Sequence, residues 1–214
     1  MPFFYKVQAE QVVPVKKEAA RYAGFFSGSR IESCDSQKES DAFFKMIDDA
    51  CSKMQKVLVP QAVYEEFELE ITAPDGDEAP ELRFGGISLK SRNLAANLKE
   101  CSKVILLAAT VGTAVDMMIR RAQQAGSADA AVMQATGAMF IESFLDDFNE
   151  SLCRTYESKG KKLHSRFSPG YGDVPLEFQK QFFKLLPCSK IGLSLMDSLI
   201  MAPEKSVTAF IGIE

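Results

Sequence analysis

The stretch Arg166-Phe167-Ser168-Pro169-Gly170-Tyr171-Gly172-Asp173-Val174-Pro175-Leu176 combines a turn signal with residues that can bind a ligand. Pro169-Gly170 is typical of a tight turn, because proline fixes φ and glycine adopts backbone conformations that other residues avoid. Asp173 precedes Pro175 by two residues, which predicts a helix N-cap followed by the first helical turn. The stretch therefore predicts a strand, a turn and a helix in that order.

The same stretch carries side chains suited to an amino-acid ligand. Arg166 is a permanent cation whose planar fork of donors fits a carboxylate. Tyr171 offers an aromatic face and a hydroxyl, and Gly170 lets the backbone approach a ligand closely. Two interpretations stay open at this point: a plain connection between elements, or a binding loop.

The longest predicted helix, residues 127–158, leads into this stretch. Its face of small residues allows another backbone to come close, and carboxylates follow on the same face. The face consists of Ala131, Ala135 and Ala138, continued at helical spacing by Glu142, Asp146 and Asn149. Either the helix emerges into water there, or a carboxylate stands at the lip of a pocket and accepts from a ligand ammonium.

Other elements follow from periodicity. Residues 103–110 are a short apolar run, which predicts a strand buried on both faces. The spacing predicts helices over 10–23, 36–57 and 173–186, with further helices starting at 91 and 113. Strands are predicted over 63–71 and 82–89, the second bent at Gly85-Gly86, and residues 74–77 are predicted to form a loop. Residues 163–167 are predicted to be extended, and short strand-like pieces are predicted at 191–195, 198–201 and 206–213.

Composition excludes several classes of function. The chain has 214 residues, of which 46% are hydrophobic and 25% charged, which is ordinary for a globular protein. A net charge of −4 leaves no basic footprint for nucleic acid or an anionic membrane. The N-terminus lacks a signal-peptide pattern and no apolar run is long enough to span a bilayer, so we expect a cytoplasmic protein.

Cysteine and histidine usage argues against a metal centre. The five cysteines are scattered, odd in number and never in a Cys-x-x-Cys pair, which favours reduced thiols over disulfides or zinc. The acidic face of residues 63–71 has no histidine or cysteine beside it, so a solvated sheet face explains it. His164 is the only histidine, and a lone histidine beside a strand is usually structural.

Five runs follow one another in a characteristic order along the chain. They are residues 89–94, 108–116, 135–142, 166–176 and 192–209, and the most specific pattern is Arg-x-x-x-Gly-Tyr at Arg166, Gly170 and Tyr171. Together these runs resemble the reactivation domain of cobalamin-dependent methionine synthase, most closely its small stand-alone form. The resemblance is good from residue 89 onward and loose over residues 1–88, which we interpret as the N-terminal helices and first strands of the same domain.

The resemblance implies a fold and a function. The fold is α+β, with a twisted antiparallel β-sheet flanked by helices. The function is to bind S-adenosylmethionine and to support the reductive remethylation of cob(II)alamin, with cobalamin carried only by a partner protein. The implied partners are a corrinoid-binding methionine synthase or methyltransferase and a flavodoxin-type electron donor.

The resemblance also implies which residues hold the ligand. Arg166 would hold the carboxylate of S-adenosylmethionine and Glu142 its ammonium. Tyr171 would offer its ring to the sulfonium or its hydroxyl to the ligand. Backbone of Ser168, Pro169 and Gly170 would face the adenine edge. These groups should border one open cleft, since a flat macrocycle must approach it.

Departures from the family pattern leave alternatives open. There is no Asp-x-His-x-x-Gly cobalt-ligand motif, Ile211 stands where the larger domain has an aromatic ligand contact, and its N-terminal acidic contact has no counterpart. The first hypothesis is an activation subunit, the second a non-enzymatic adaptor that binds a corrinoid protein, and the third an unrelated small-molecule binder sharing only the fold.

Overall fold

A computed structural model describes residues 1–24, 34–72, 76, 78–126 and 129–214, with the side chains of the second helix from Asp41 onward. The helices are α1 (Lys16–Tyr22), α2 (Cys34–Gln55), α3 (Arg92–Asn97), α4 (Thr113–Gln124), α5 (Asp129–Glu157) and α6 (Gln179–Leu185). The strands are β1 (Phe3–Lys6), β2 (Gln61–Glu68), β3 (Glu70–Thr72), β4 (Glu81–Phe84), β5 (Ile87–Lys90), β6 (Lys103–Thr110), β7 (Ser194–Leu195), β8 (Met201–Ala202) and β9 (Ser206–Ile213). Short 3₁₀ turns occupy Ala9–Gln11, Leu176–Phe178 and Cys188–Ile191.

Strand β6 is the centre of the fold. It pairs antiparallel with β2 on one side and β9 on the other, in a sheet of order β1-β2-β6-β9. Because side chains alternate along a strand, Ile105, Leu107 and Ala109 enter one core while the residues between them enter a second core. The prediction of a strand buried on both faces is confirmed.

The two cores are covered by different elements. One face of the sheet packs against buried side chains of α1, α2, α4 and α5, including Phe144 and Phe148. The other face packs against α3, α6 and the small sheet β3-β4-β5, with Phe182 and Phe210 fully buried. This mixed helix and strand architecture with antiparallel sheets confirms the predicted α+β class.

Several predicted elements need correction. Residues 82–89 form not one bent strand but the hairpin β4-β5, because Gly85 and Gly86 both adopt positive φ (56° and 77°) and reverse the chain. The single strand predicted over residues 63–71 is two strands. β2 ends at Glu68, and β3, which starts at Glu70, belongs to the other sheet. The predicted helix over 10–23 starts only at Lys16, since Pro14 disfavours helical backbone in the residue before it.

Other predictions agree with the structure within a few residues. The helices predicted to start at 91 and 113 are α3, whose N-cap is Ser91, and α4. The second helix begins at Cys34 and the long helix is described from Asp129, with residues 127 and 128 outside the described residues. Of the predicted loop 74–77, only Gly76 lies within them. In the described part of the chain, no helix has both the length and the apolar character needed to cross a bilayer.

Candidate functional site

The backbone before Arg166 runs along the free edge of β9. His164 N–H donates to the Gly212 carbonyl (2.9 Å), and Phe167 and Phe210 exchange two hydrogen bonds of 3.0 and 2.7 Å. These bridges confirm the extended conformation predicted for residues 163–167. They fix Arg166 between two anchored residues, so its side chain leaves the sheet edge in a defined direction.

The Arg166 guanidinium contacts two carboxylates of α5. Its Nη2 lies 3.1 Å from Glu142 Oε2 and 3.0 Å from Asp146 Oδ1. Glu142 and Asp146 are four residues apart and therefore share one face of the helix. The Arg166 side chain is only 18% exposed, whereas Glu142 is 42% and Asp146 74% exposed. The structure thus brings together Arg166 and Glu142, and it adds Asp146, which the sequence showed only as a continuation of the helix face.

The other guanidinium nitrogen is not satisfied. Arg166 Nη1 is buried and has no hydrogen-bond partner among the described residues, and the same is true of Asn149 Oδ1, three residues beyond Asp146. Leaving a buried donor without an acceptor costs about 1–3 kcal/mol, and more for a charged group. One terminal nitrogen of the guanidinium therefore contacts two acceptors, while the other is buried and has none among the described residues.

The face of small residues leading to Glu142 lies at the boundary of the core. Ala135 is buried, Ala138 is half-buried and Ala131 is exposed. The most deeply buried side chains of α5 include Phe140 and Phe144 instead. Glu142 therefore emerges at the edge of the core, with its carboxylate turned to Arg166.

Helix α1 contributes a residue that the sequence did not single out. Tyr22 is 42% exposed. Burial, together with the charge of the nearby Glu142, raises the pKa of the Tyr22 hydroxyl. Tyr22 therefore lies within electrostatic range of Glu142. It belongs to the loosely matched N-terminal part of the chain, where no motif pointed to it.

Residues 168–174 form a compact loop beside this cluster. Tyr171 N–H donates to the Ser168 carbonyl (3.2 Å), and the Gly170 N–H donates to the Val174 carbonyl (2.9 Å). Gly170 has a φ of 90°, a conformation that side chains other than glycine strain to reach. The Tyr171 side chain is 70% exposed. The Tyr171 side chain and the Asp146 carboxylate are therefore both largely exposed to solvent.

Asp173 holds this loop to helix α3. Its carboxylate accepts hydrogen bonds from the backbone N–H groups of Arg92 (2.6 Å) and Asn93 (3.3 Å) and from the Ser91 hydroxyl. Burial alone would raise the pKa of the Asp173 carboxyl, but these hydrogen bonds outweigh it and lower the pKa below its usual value.

The predicted role of Asp173 as the cap of its own helix is wrong. The helix after it begins as a 3₁₀ turn at Leu176 and has Pro175 at its N-cap position. The Asp173 carboxylate accepts instead from the N-terminal N–H groups of α3. At Gly172, a Cβ would come within 2.8 Å of the Asn93 side chain, so loop and helix are packed as closely as glycine permits.

His164 has structural contacts. Its Nδ1 lies 2.6 Å from the Asn97 carbonyl oxygen, which accepts a hydrogen bond from the ring, and its Nε2 lies 3.6 Å from a Glu214 carboxylate oxygen. Ile211, the position of the family's aromatic contact, is fully buried in the core. In the described part of the chain, no three histidine, cysteine or acidic side chains are grouped to hold a metal.

A cavity in another part of the described structure is distinct from this region. It encloses about 370 Å³ between α2, α4 and α5. Its lining includes Met46, Lys53, Arg121 and Val132 but neither Arg166 nor Tyr171. The candidate site at Arg166, Glu142 and Asp146 is therefore separate from this cavity.

Comparison with known proteins is informative only at the level of three-dimensional structure. No protein-family model matches the sequence, and no curated protein does. A crystal structure of the MetH reactivation domain bound to AdoHcy matches with a TM-score of 0.71, covering 99% of this chain and 78% of that chain. This chain has the fold of the MetH reactivation domain. The sequence identity is 14%, so the similarity establishes the fold and leaves the assignment of site residues to chemical argument.

Proposed function

We propose that this protein binds S-adenosylmethionine at Arg166 and Glu142 and supports the reductive remethylation of cob(II)alamin on a separate corrinoid-dependent methionine synthase or methyltransferase. The observation that carries the proposal is the direct contact of Arg166 with Glu142 at an open surface. The pair offers one cationic and one anionic group, which is what a zwitterionic amino-acid end requires.

The amino-acid end of the ligand would complete the hydrogen bonding of Arg166. Its carboxylate takes the place of Asp146 on Nη2, and a turn of the guanidinium toward the surface lets it accept also from Nη1, which is buried and has no partner among the described residues. Asp146 is 74% exposed, so water solvates its carboxylate once the ligand has displaced it. Glu142 then accepts from the ligand ammonium.

The 168–174 loop would hold the rest of the ligand. Tyr171 is free to present its ring to the positively charged sulfonium, a contact worth about 0.5–2 kcal/mol. The backbone of Ser168, Pro169 and Gly170 would face the adenine edge. Asp173 contributes by anchoring the loop to α3 and so limits the ordering that ligand binding has to impose.

The relative with the same fold was solved with AdoHcy bound, and AdoHcy is the thioether that S-adenosylmethionine becomes when it gives up its methyl group. The corrinoid of the partner protein would supply the methyl acceptor, reduced by one electron from a flavodoxin-type donor. This chain would hold the sulfonium methyl in line above that acceptor, which is catalysis by positioning. The exposure of Tyr171 and Asp146 suits this role because the macrocycle has to reach the ligand.

Titration calorimetry tests the binding site. Arg166→Ala should weaken S-adenosylmethionine binding about ten- to hundredfold, because a hydrogen bond to a charged group is worth about 1.5–3 kcal/mol. Arg120→Ala is the matched control, since Arg120 is also paired with a carboxylate (Glu204, 3.0 Å) but lies outside the site. Equal affinities of the wild type and Arg166→Ala would refute the assignment.

A second experiment separates the activator from the adaptor. The protein is mixed with a cob(II)alamin-loaded partner, a reductant and S-adenosylmethionine, and methylcobalamin is followed by absorbance. An activator accelerates methylcobalamin formation, and Arg166→Ala abolishes the effect. An adaptor binds the corrinoid protein without changing this rate.

A further inference from the structure

The candidate site carries one more negative charge than a zwitterion needs. Arg166 supplies one positive charge, and the two carboxylates on its Nη2 supply two negative charges. In the part of the chain that the structure describes, Glu142 and Asp146 make ion pairs only with Arg166. The next arginine along α5, Arg154, is paired with Glu150 (3.6 Å). The charges of Arg166, Glu142 and Asp146 therefore sum to −1.

This excess charge distinguishes two ligands that share the same amino-acid end. S-adenosylmethionine carries a carboxylate, an ammonium and a sulfonium and has a net charge of +1. AdoHcy has a thioether in place of the sulfonium and a net charge of zero. A site of charge −1 attracts the first ligand by a Coulomb interaction that the second lacks.

We infer that Asp146 is a specificity-determining residue that makes the site prefer the sulfonium ligand over its thioether product. The inference rests on the proposed function, because it assumes that this ligand class binds at Arg166. Glu142 is needed for the ammonium and so acts on both ligands alike. The ligand carboxylate displaces Asp146 from Arg166. The negative charge of Asp146 is then unpaired and lies beside the ligand.

The same charge distinguishes the bound ligand before methyl transfer from the bound ligand after it. When the methyl group leaves for the nucleophile, the S–CH₃ bond breaks and sulfur keeps the bonding pair. The ligand charge therefore falls by one while the protein charge is unchanged. The attraction exerted by Asp146 disappears at that step, so the product binds less tightly than the substrate and leaves more readily.

The expected size of the effect is modest. For two unit charges about 8 Å apart with an effective dielectric constant of about 40–80, the Coulomb interaction changes affinity by roughly two- to sixfold. Asp146 is 74% exposed, so added salt should screen the preference.

The test is the ratio of the dissociation constants of AdoHcy and S-adenosylmethionine, measured by calorimetry at low salt. Asp146→Asn should lower this ratio roughly two- to sixfold, and Asp146→Glu should retain it because the charge is kept. Glu150→Gln is the control: it removes the same charge from an exposed position one turn further along α5, and its ratio should equal that of the wild type.

The outcomes are distinct. An unchanged ratio in Asp146→Asn overturns the inference while leaving the proposed function intact. An equal fall in Glu150→Gln also overturns it, because the preference would then reflect the overall charge of the helix. If the wild type binds neither ligand, the proposed function itself fails and the inference falls with it.

Discussion

Replacing Asp173 tests whether the 168–174 loop is held to α3 as the structure shows. Its carboxylate caps the helix by accepting from the backbone N–H groups of Arg92 and Asn93 and from the Ser91 hydroxyl. Loss of such a cap costs about 0.5–2 kcal/mol. Because Asp173 is exposed, water solvates the released donors, and we expect Asp173→Ala to cost about 1–2 kcal/mol.

Thermal unfolding followed by circular dichroism measures this cost. For a chain of this length, a loss of 1 kcal/mol lowers Tm by about 2–4 °C, so Asp173→Ala should melt about 2–8 °C below the wild type. Asp197→Ala is the control, since Asp197 is also an exposed loop aspartate and is not part of a cap. S-adenosylmethionine binding should weaken as well, because the ligand would have to order a freer loop.

The pH dependence of this stability difference identifies the charged cap. The folded-state pKa of Asp173 lies below its ordinary value of 3.8, so its contribution is present above that pH and is lost as the pH falls through the folded pKa. The difference between the wild type and Asp173→Asn should therefore be constant near neutral pH and shrink below about pH 4. This account would be refuted if Asp173→Ala had the same Tm as the wild type at pH 7. It would also be refuted if the stability difference between the wild type and Asp173→Asn persisted into strong acid.

Leu106→Ala should lower the free energy of unfolding by about 2–5 kcal/mol. Leu106 is fully buried on the central strand β6, so its truncation leaves a cavity between the sheet and α6. Urea unfolding measures the change. Burial raises the pKa of the Cys51 thiol to about 11 and that of Cys188 to about 12, so both should resist alkylation at pH 8. Mass spectrometry of the native protein should show the half-exposed Cys153 modified before either of them, and early labelling of Cys188 would contradict its burial.

Local patterns were sufficient for much of the architecture. The continuous apolar run of β6 predicted a strand buried on both faces, and the long amphipathic run of α5 predicted a helix close to its observed length. The sequence also contained Arg166 and Glu142 as candidate partners through a family resemblance, although their 24-residue separation says nothing about contact. Periodicity predicts such elements because it records which side of a segment faces the core.

Only the tertiary structure determined which residues distant in the chain contact each other. Asp173 caps a helix about 80 residues earlier in the chain, where local spacing had placed it on its own helix. Asp146 is four residues from Glu142, yet its role depends on the side chain of Arg166 reaching both carboxylates from the edge of β9. Spacing along a chain determines the face on which a side chain lies. Hydrogen bonds and charge at a site depend instead on which distant segments come together. The pairing of β9 with β6 and the packing of α3 and α5 against the central sheet decide this here.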